Sequence, residues 1–153
     1  MADVELNMKG LEKLSKALKS KPPLGRVGIL GNTTTRNDGQ TNAFIGMQHE
    51  YGNSRVPVRS FLRLPISSLL QKYLEKSGAF NKDVLRDVVA QGSVKPWLEK
   101  AVIVAEGIVL EAFDTRGFGT WIPSDYTNKQ NAQTLVETTQ LRGSITSDVT
   151  GEG

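Results

Sequence analysis

The twenty residues from Val94 to Phe113 constrain this chain more than any other stretch. Trp97, Ala101, Val104, Ala105, Ile108 and Ala112 recur at helical spacing, and Leu98, Val102, Val109 and Phe113 widen the same stripe. A helix apolar over so wide an arc has to be buried against a sheet or several helices. Ser93 is placed to cap it, and at ~1.5 Å per residue it spans roughly 30 Å, about the width of one small domain. The rest of the sequence must supply the surface on which this helix lies.

Shorter elements do so. Ala2 to Met8 alternates, with Val4, Leu6 and Met8 on one side, and reads as a strand. Lys9 to Ser20 reads as a helix, with Leu11, Leu14, Ala17 and Leu18 on one face, stopped by Pro22-Pro23. Gly25 to Gly31 reads as a second strand, and the polar stretch 32–40 as a flexible loop. Thr41 or Asn42 caps a helix to Tyr51, in which Ala43, Phe44 and Met47 share a face and Gly52 ends the run. Arg55 to Leu64 reads as extended, and Pro65 as the first position of a helix to Lys76. Asn81 to Gln91 gives another short helix, and Leu141 to Val149 alternates like a strand. The sum is an α+β fold: a single domain over 1–149, a small, mostly antiparallel sheet of three to four strands, the long helix 94–113 packed on it, and a disordered tail, 150–153.

Composition narrows the chemistry. With no cysteine among 153 residues, disulfides, thiolate metal sites and a cysteine nucleophile are excluded. His49 is the sole histidine, so multi-histidine metal sites are excluded too. The longest apolar runs fall short of the ~20 residues a membrane helix needs, so a soluble protein made in a cytoplasm is expected. A net charge of +3 is too small to argue for nucleic acid by itself.

Individual motifs are weighed against plain structural roles. Gly25, Gly28 and Gly31 are spaced by three, and a long polar loop follows them, so they suit close packing better than a phosphate. His49-Glu50 lies at a helix C-terminus and lacks a nucleophile elbow, which favours a structural role with a partly charged imidazole suited to that end of the helix. Arg55, Arg59 and Arg63 recur every four residues around Phe61, and on an extended chain they share one side. They suit phosphate, a neighbouring subunit or plain solvent. Phe118 and Trp121 lie in a glycine-rich loop, where Trp121 either anchors an interface or caps the domain's own core.

Taken together, Arg26-Val27-Gly28-Ile29-Leu30, a loop, Ala43-Phe44-Ile45-Gly46-Met47-Gln48-His49-Glu50-Tyr51-Gly52 and Val56-Pro57-Val58-Arg59-Ser60-Phe61-Leu62-Arg63 resemble the virion-morphogenesis, or tail-completion, proteins of tailed bacteriophages. The last stretch is similar to that family's Ile-Pro-x-Arg-Pro-Phe-Leu-Arg. Trp121-Ile122-Pro123-Ser124 and Leu135 to Ile145 look like its closing part. Ser60 stands where the family usually has proline, and Glu137-Thr138-Thr139 where it usually has Asp-Thr-Gly. The resemblance implies a structural protein of the virion neck, assembled in the host cytoplasm. It would form a ring, commonly a hexamer, between the tail tube or terminator and the head connector. It implies no catalytic residue, no cofactor and no metal. Arg55, Arg59, Phe61, Arg63, Phe118 and Trp121 are then the candidate contacts to neighbouring subunits or partners, with passing DNA touched without sequence specificity. A tail terminator or another neck ring of similar fold is the nearest alternative, and a non-specific nucleic-acid-binding module is the alternative from a different class.

Overall fold

A computed structural model describes residues 8–31, 36, 38–122 and 139–151. In chain order its elements are α1 (Met8–Ser20), β1 (Leu24–Gly28), α2 (Asn42–Tyr51), α3 (Arg63–Ser77), α4 (Lys82–Gln91), α5 (Lys95–Asp114) and β2 (Thr146–Thr150). A further helical segment covers 139–143. The fold is α+β. Its described strands, β1 and β2, form one antiparallel pair, against the expected three to four. The strand expected at 2–8 and the extended residues Leu135 and Val136 lie outside the described residues, except that Met8 is the first residue of α1.

The described residues gather into two compact units. One takes those of Met1–Arg26, Lys72–Val104 and Asp148–Gly153. Here α1 packs on α4. Asn81 caps α4 by accepting the Val84 N–H at 2.9 Å, and Gly92 closes it with φ 62°. A Cβ at Gly92 would stand 2.7 Å from the Lys13 side chain, so both the turn and the approach of α1 require glycine. β1 approaches α5 closely at Gly25, where a Cβ would meet Val102 Cγ1 at 2.6 Å and Leu98 Cδ2 at 3.5 Å. Arg26 on β1 makes a two-pronged bond to Asp148 on β2, at 2.8 and 2.5 Å.

The other unit takes Val27–Gln71 and the described part of Ala105–Ser147. Its core is Phe61, Val109, Ala112, Phe113, Leu141 and Ile145. Phe113 sits between Phe61, with ring centroids 5.0 Å apart, and Trp121, edge-on at 5.7 Å. Arg142 grips Asp114 with two bonds, 2.9 and 3.0 Å, which ties the segment 139–143 to the end of α5. Beyond α5 the backbone is left-handed at four successive residues, Arg116 (φ 52°), Gly117 (66°), Phe118 (56°) and Gly119 (80°). Left-handed geometry costs a non-glycine residue roughly 1–2 kcal/mol. Here the Thr115 hydroxyl accepts the Phe118 N–H at 3.0 Å, and the Arg116 carbonyl accepts the Trp121 N–H at 3.1 Å.

Four expectations are corrected. Arg55 to Leu64 is not a strand: bends at 54–56 and 61–62 flank residues 57–60, and the chain enters α3 at Arg63. Pro65 does not open α3 but sits inside its first turn, where a missing N–H is harmless. Leu141 to Val149 is extended only from Thr146, because Leu141 is on the helical segment and buried in the core. Thr150, assigned to the tail, is the last residue of β2.

Leu141 is 2% exposed, so Leu141→Ala should cost about 2–5 kcal/mol in urea unfolding, whereas Leu18→Ala on the half-exposed face of α1 should cost less than about 1 kcal/mol.

Candidate interaction surface around Glu50

The most heavily satisfied side chain among the described residues is Glu50, near the end of α2, and it is 6% exposed. Its Oε1 accepts the Ser60 hydroxyl at 2.6 Å and the Arg63 N–H at 3.0 Å. Its Oε2 accepts the N–H groups of Phe61 at 3.0 Å and Leu62 at 3.1 Å. The Ser60 oxygen in turn accepts the Leu64 N–H at 3.0 Å, Pro65 has no N–H, and Ile66 donates to the Leu62 carbonyl at 3.2 Å. The start of α3 therefore has a partner for each of its backbone donors. A carboxylate is also suited to this place electrostatically, since a helix N-terminus carries partial positive charge. Arg63 Nε lies 3.7 Å from Oε1.

The loop between α2 and α3 is fixed with equal completeness. Thr41 caps α2 through the Phe44 N–H at 3.2 Å, and Gly52 ends it with φ 69°. The Asn53 side chain accepts the N–H groups of Arg55 (2.8 Å) and Val56 (2.9 Å). The His49 carbonyl accepts the Arg59 N–H at 2.7 Å. Inside α2, a Cβ at Gly46 would stand 2.9 Å from Ile29 and 3.3 Å from both Phe61 and Leu141, so the helix lies close against the core.

The expected site residues separate. Phe61 is 3% exposed and belongs to the core, so it is not a surface contact. Trp121 packs on Phe113 and its Nε1 donates to the Ser60 carbonyl at 3.4 Å, which fills the core-capping role. Phe118 stands at the surface on the left-handed turn. The three arginines do not share one side of a strand. Arg55 is exposed on the Asn53 turn, Arg59 donates to the Ile122 carbonyl at 3.3 and 3.2 Å, and Arg63 lies on α3 with its guanidinium 5.4 Å from the centre of the Tyr51 ring. His49 is held toward its neutral form, first by burial and then by the charges of Arg59 and Arg36. This overturns the partly charged imidazole expected at the helix end.

Sequence reasoning missed the polarity of α2. The face shared by Ala43, Phe44 and Met47 points outward, while Ile45, Gly46 and Glu50 point inward. Phe44, Met47 and Tyr51, spaced by three and four, are 43%, 53% and 64% exposed. Val58 and Leu64 are exposed as well, and Val58 packs against Gly52. The available signal was the glutamate itself, set in an apolar helix with donors ten to thirteen residues downstream. Among the described residues no group of three histidine, aspartate or glutamate side chains is placed to hold a metal ion, and no helix is long and apolar enough to cross a membrane.

Replacing Glu50 by Ala removes the acceptor for three N–H groups and a hydroxyl, and should cost about 3 kcal/mol or more in urea unfolding. Glu50→Gln keeps the shape but turns an NH2 toward N–H donors, and should recover only part of that loss. For His49 the folded state binds a proton less readily than the unfolded chain. Stability is therefore full above the ordinary value of ~6.5 and falls as pH drops below it, by at most about 1.4 kcal/mol per pH unit, until the lowered folded value is passed. In His49→Gln, unfolding free energy measured between pH 7 and 5 should lose that component of its slope.

No protein-family model, no curated protein and no solved structure matches this chain.

Proposed function

We propose that this protein is a structural component of a tailed-phage virion neck, a tail-completion or head–tail joining protein that assembles as a ring between tail and head connector. The observation that carries the reading is how two of the five stretches that carry the resemblance are joined. Ala43 to Gly52 and Val56 to Arg63 are closed onto each other by four hydrogen bonds to Glu50, and their exposed side chains include Phe44, Met47, Tyr51 and Arg55. A ring subunit joins unlike patches on successive copies, so it needs stiff, contoured surfaces more than a pocket. Ser60 also makes sense of one departure from the family pattern. Where proline is usual, the serine hydroxyl adds a donor to Glu50 and an acceptor to Leu64, reinforcing the same joint. On this reading the small antiparallel sheet reaches three to four strands in the complete protein, and the protein works in the virion without catalysis.

The arginine series gives the nucleic-acid alternative little support, because Arg59 and Arg63 are turned onto the Ile122 carbonyl and the Tyr51 ring. The test is genetic. Deleting the gene from the phage that carries it should leave full heads and finished tails unjoined in electron micrographs, and supplying the protein in trans should restore joined particles. Normal joining in the deletion would sink the proposal.

A further inference from the structure

The turn that follows α5 is built against its own backbone preferences. Its first hydrogen bonds are those of a helix cap: the Gly117 N–H donates to the Ala112 carbonyl at 2.6 Å and the Arg116 N–H to the Phe113 carbonyl at 3.4 Å. The left-handed position of such a cap is ordinarily glycine, and here Arg116 holds it. Phe118, two residues on, is left-handed as well. Strain of this kind persists only where the surroundings enforce it, and it gathers at elements that have more than one arrangement.

The enforcement comes from the far end of the turn. Trp121 lies across Gly117 so closely that a Cβ there would collide with the indole Cδ1 and Nε1. The ring meets Phe113 edge-on at 5.7 Å. The described polar ties of Trp121 and Ile122 to the α2–α3 loop are long: Trp121 Nε1 donates to the Ser60 carbonyl at 3.4 Å, and Arg59 donates to the Ile122 carbonyl at 3.3 and 3.2 Å. These lie at or past the upper end of the usual N–H···O range, where such bonds are weak. Trp121 is only partly buried, and Ile122 is 64% exposed. The near end of the turn is therefore strained and the far end lightly fastened. Between them the bonding is local, since Phe118, Gly119, Thr120 and Trp121 all donate to acceptors on residues 115–117.

We propose that residues 115–122 form a latch with Trp121 as its tongue. Closed, the indole covers Phe113 and holds Arg116 and Phe118 in left-handed geometry. Open, that strain is released, the ring leaves Gly117, and the edge of Phe113 and the Ser60 carbonyl are uncovered while α5 stays folded. Every residue concerned belongs to the unit that holds the Phe61 and Phe113 core. The latch does not depend on the assembly reading and is tested on the isolated chain.

Amide hydrogen exchange followed by NMR on the full chain is the experiment. The N–H groups of Phe118, Gly119, Thr120 and Trp121 should exchange at least about tenfold faster than those of Val109, Ala112 and Phe113 in α5. Urea at about 1 M should speed the α5 amides and leave those of the turn nearly unchanged, because a local opening exposes little surface. Arg116→Gly and Arg116→Ala both remove the side chain, but only glycine relieves the backbone. Glycine also gives the open chain more freedom, so the turn should exchange about threefold or more slowly in Arg116→Gly than in Arg116→Ala. Gly117→Ala shuts the ring out, and should speed exchange in the turn while α5 stays protected. Exchange of the turn at the rate and urea dependence of α5 overturns the proposal, as do equal rates in the two Arg116 variants. So does a Gly117→Ala chain whose turn is as protected as in the parent, or one that no longer folds, since the turn is then not separable from the core.

Discussion

A single carboxylate organises the best-defined part of this molecule. Burying an anion costs several kcal/mol unless its lone pairs are met, and Glu50 meets them with three backbone N–H groups and a hydroxyl. In return it sets where α3 begins, holds the bend from Ser60 to Arg63, and brings Phe61 down onto Phe113. Gly46 makes the same statement from the other side of α2, because the helix lies too close to Ile29, Phe61 and Leu141 to admit a side chain. The core and the loop are thus one construction: the apolar contacts need the bend, and the bend needs the anion.

How far the sequence could be read depended on whether a signal was local. The caps named from sequence were legible: Thr41, Gly52 and Ser93 lie where short-range hydrogen-bond chemistry puts them. So was the long helix, whose two apolar rows became the core-facing residues from Ala101 to Phe113. Arg55 to Leu64 misled because an alternation of apolar and basic residues looks the same in a strand and in a bend whose donors are bonded to a distant carboxylate. Pro65 misled for a related reason. It is a good early helix residue, yet the true start was moved two residues earlier by Glu50, a tertiary partner that no local rule contains. Leu141 was drawn into an alternating pattern although its role is that of a core residue on a short helical segment.

The candidate contacts divide along the same line. Phe61 and Trp121 were singled out for being aromatic among turn residues, and both proved to be needed by the domain itself. Ala43, Phe44 and Met47 share one face of α2, as their spacing predicts, but the spacing does not say whether that face is buried, and all three are exposed. The burial of Glu50 is what reversed the helix, and only three-dimensional placement reveals it.

The span of the hydrogen bonds has a consequence for the order in which the molecule takes shape. Glu50 reaches partners ten to thirteen residues away, whereas Arg26 and Asp148, which clasp β1 to β2, are separated by 122 positions. Closing a short loop costs less entropy than closing a long one, and contacts of low sequence separation are made sooner. The α2–α3 joint is therefore expected to be in place before the two strands meet. The α2 helix and the start of α3 would then be set against each other while β1 and β2 are still apart.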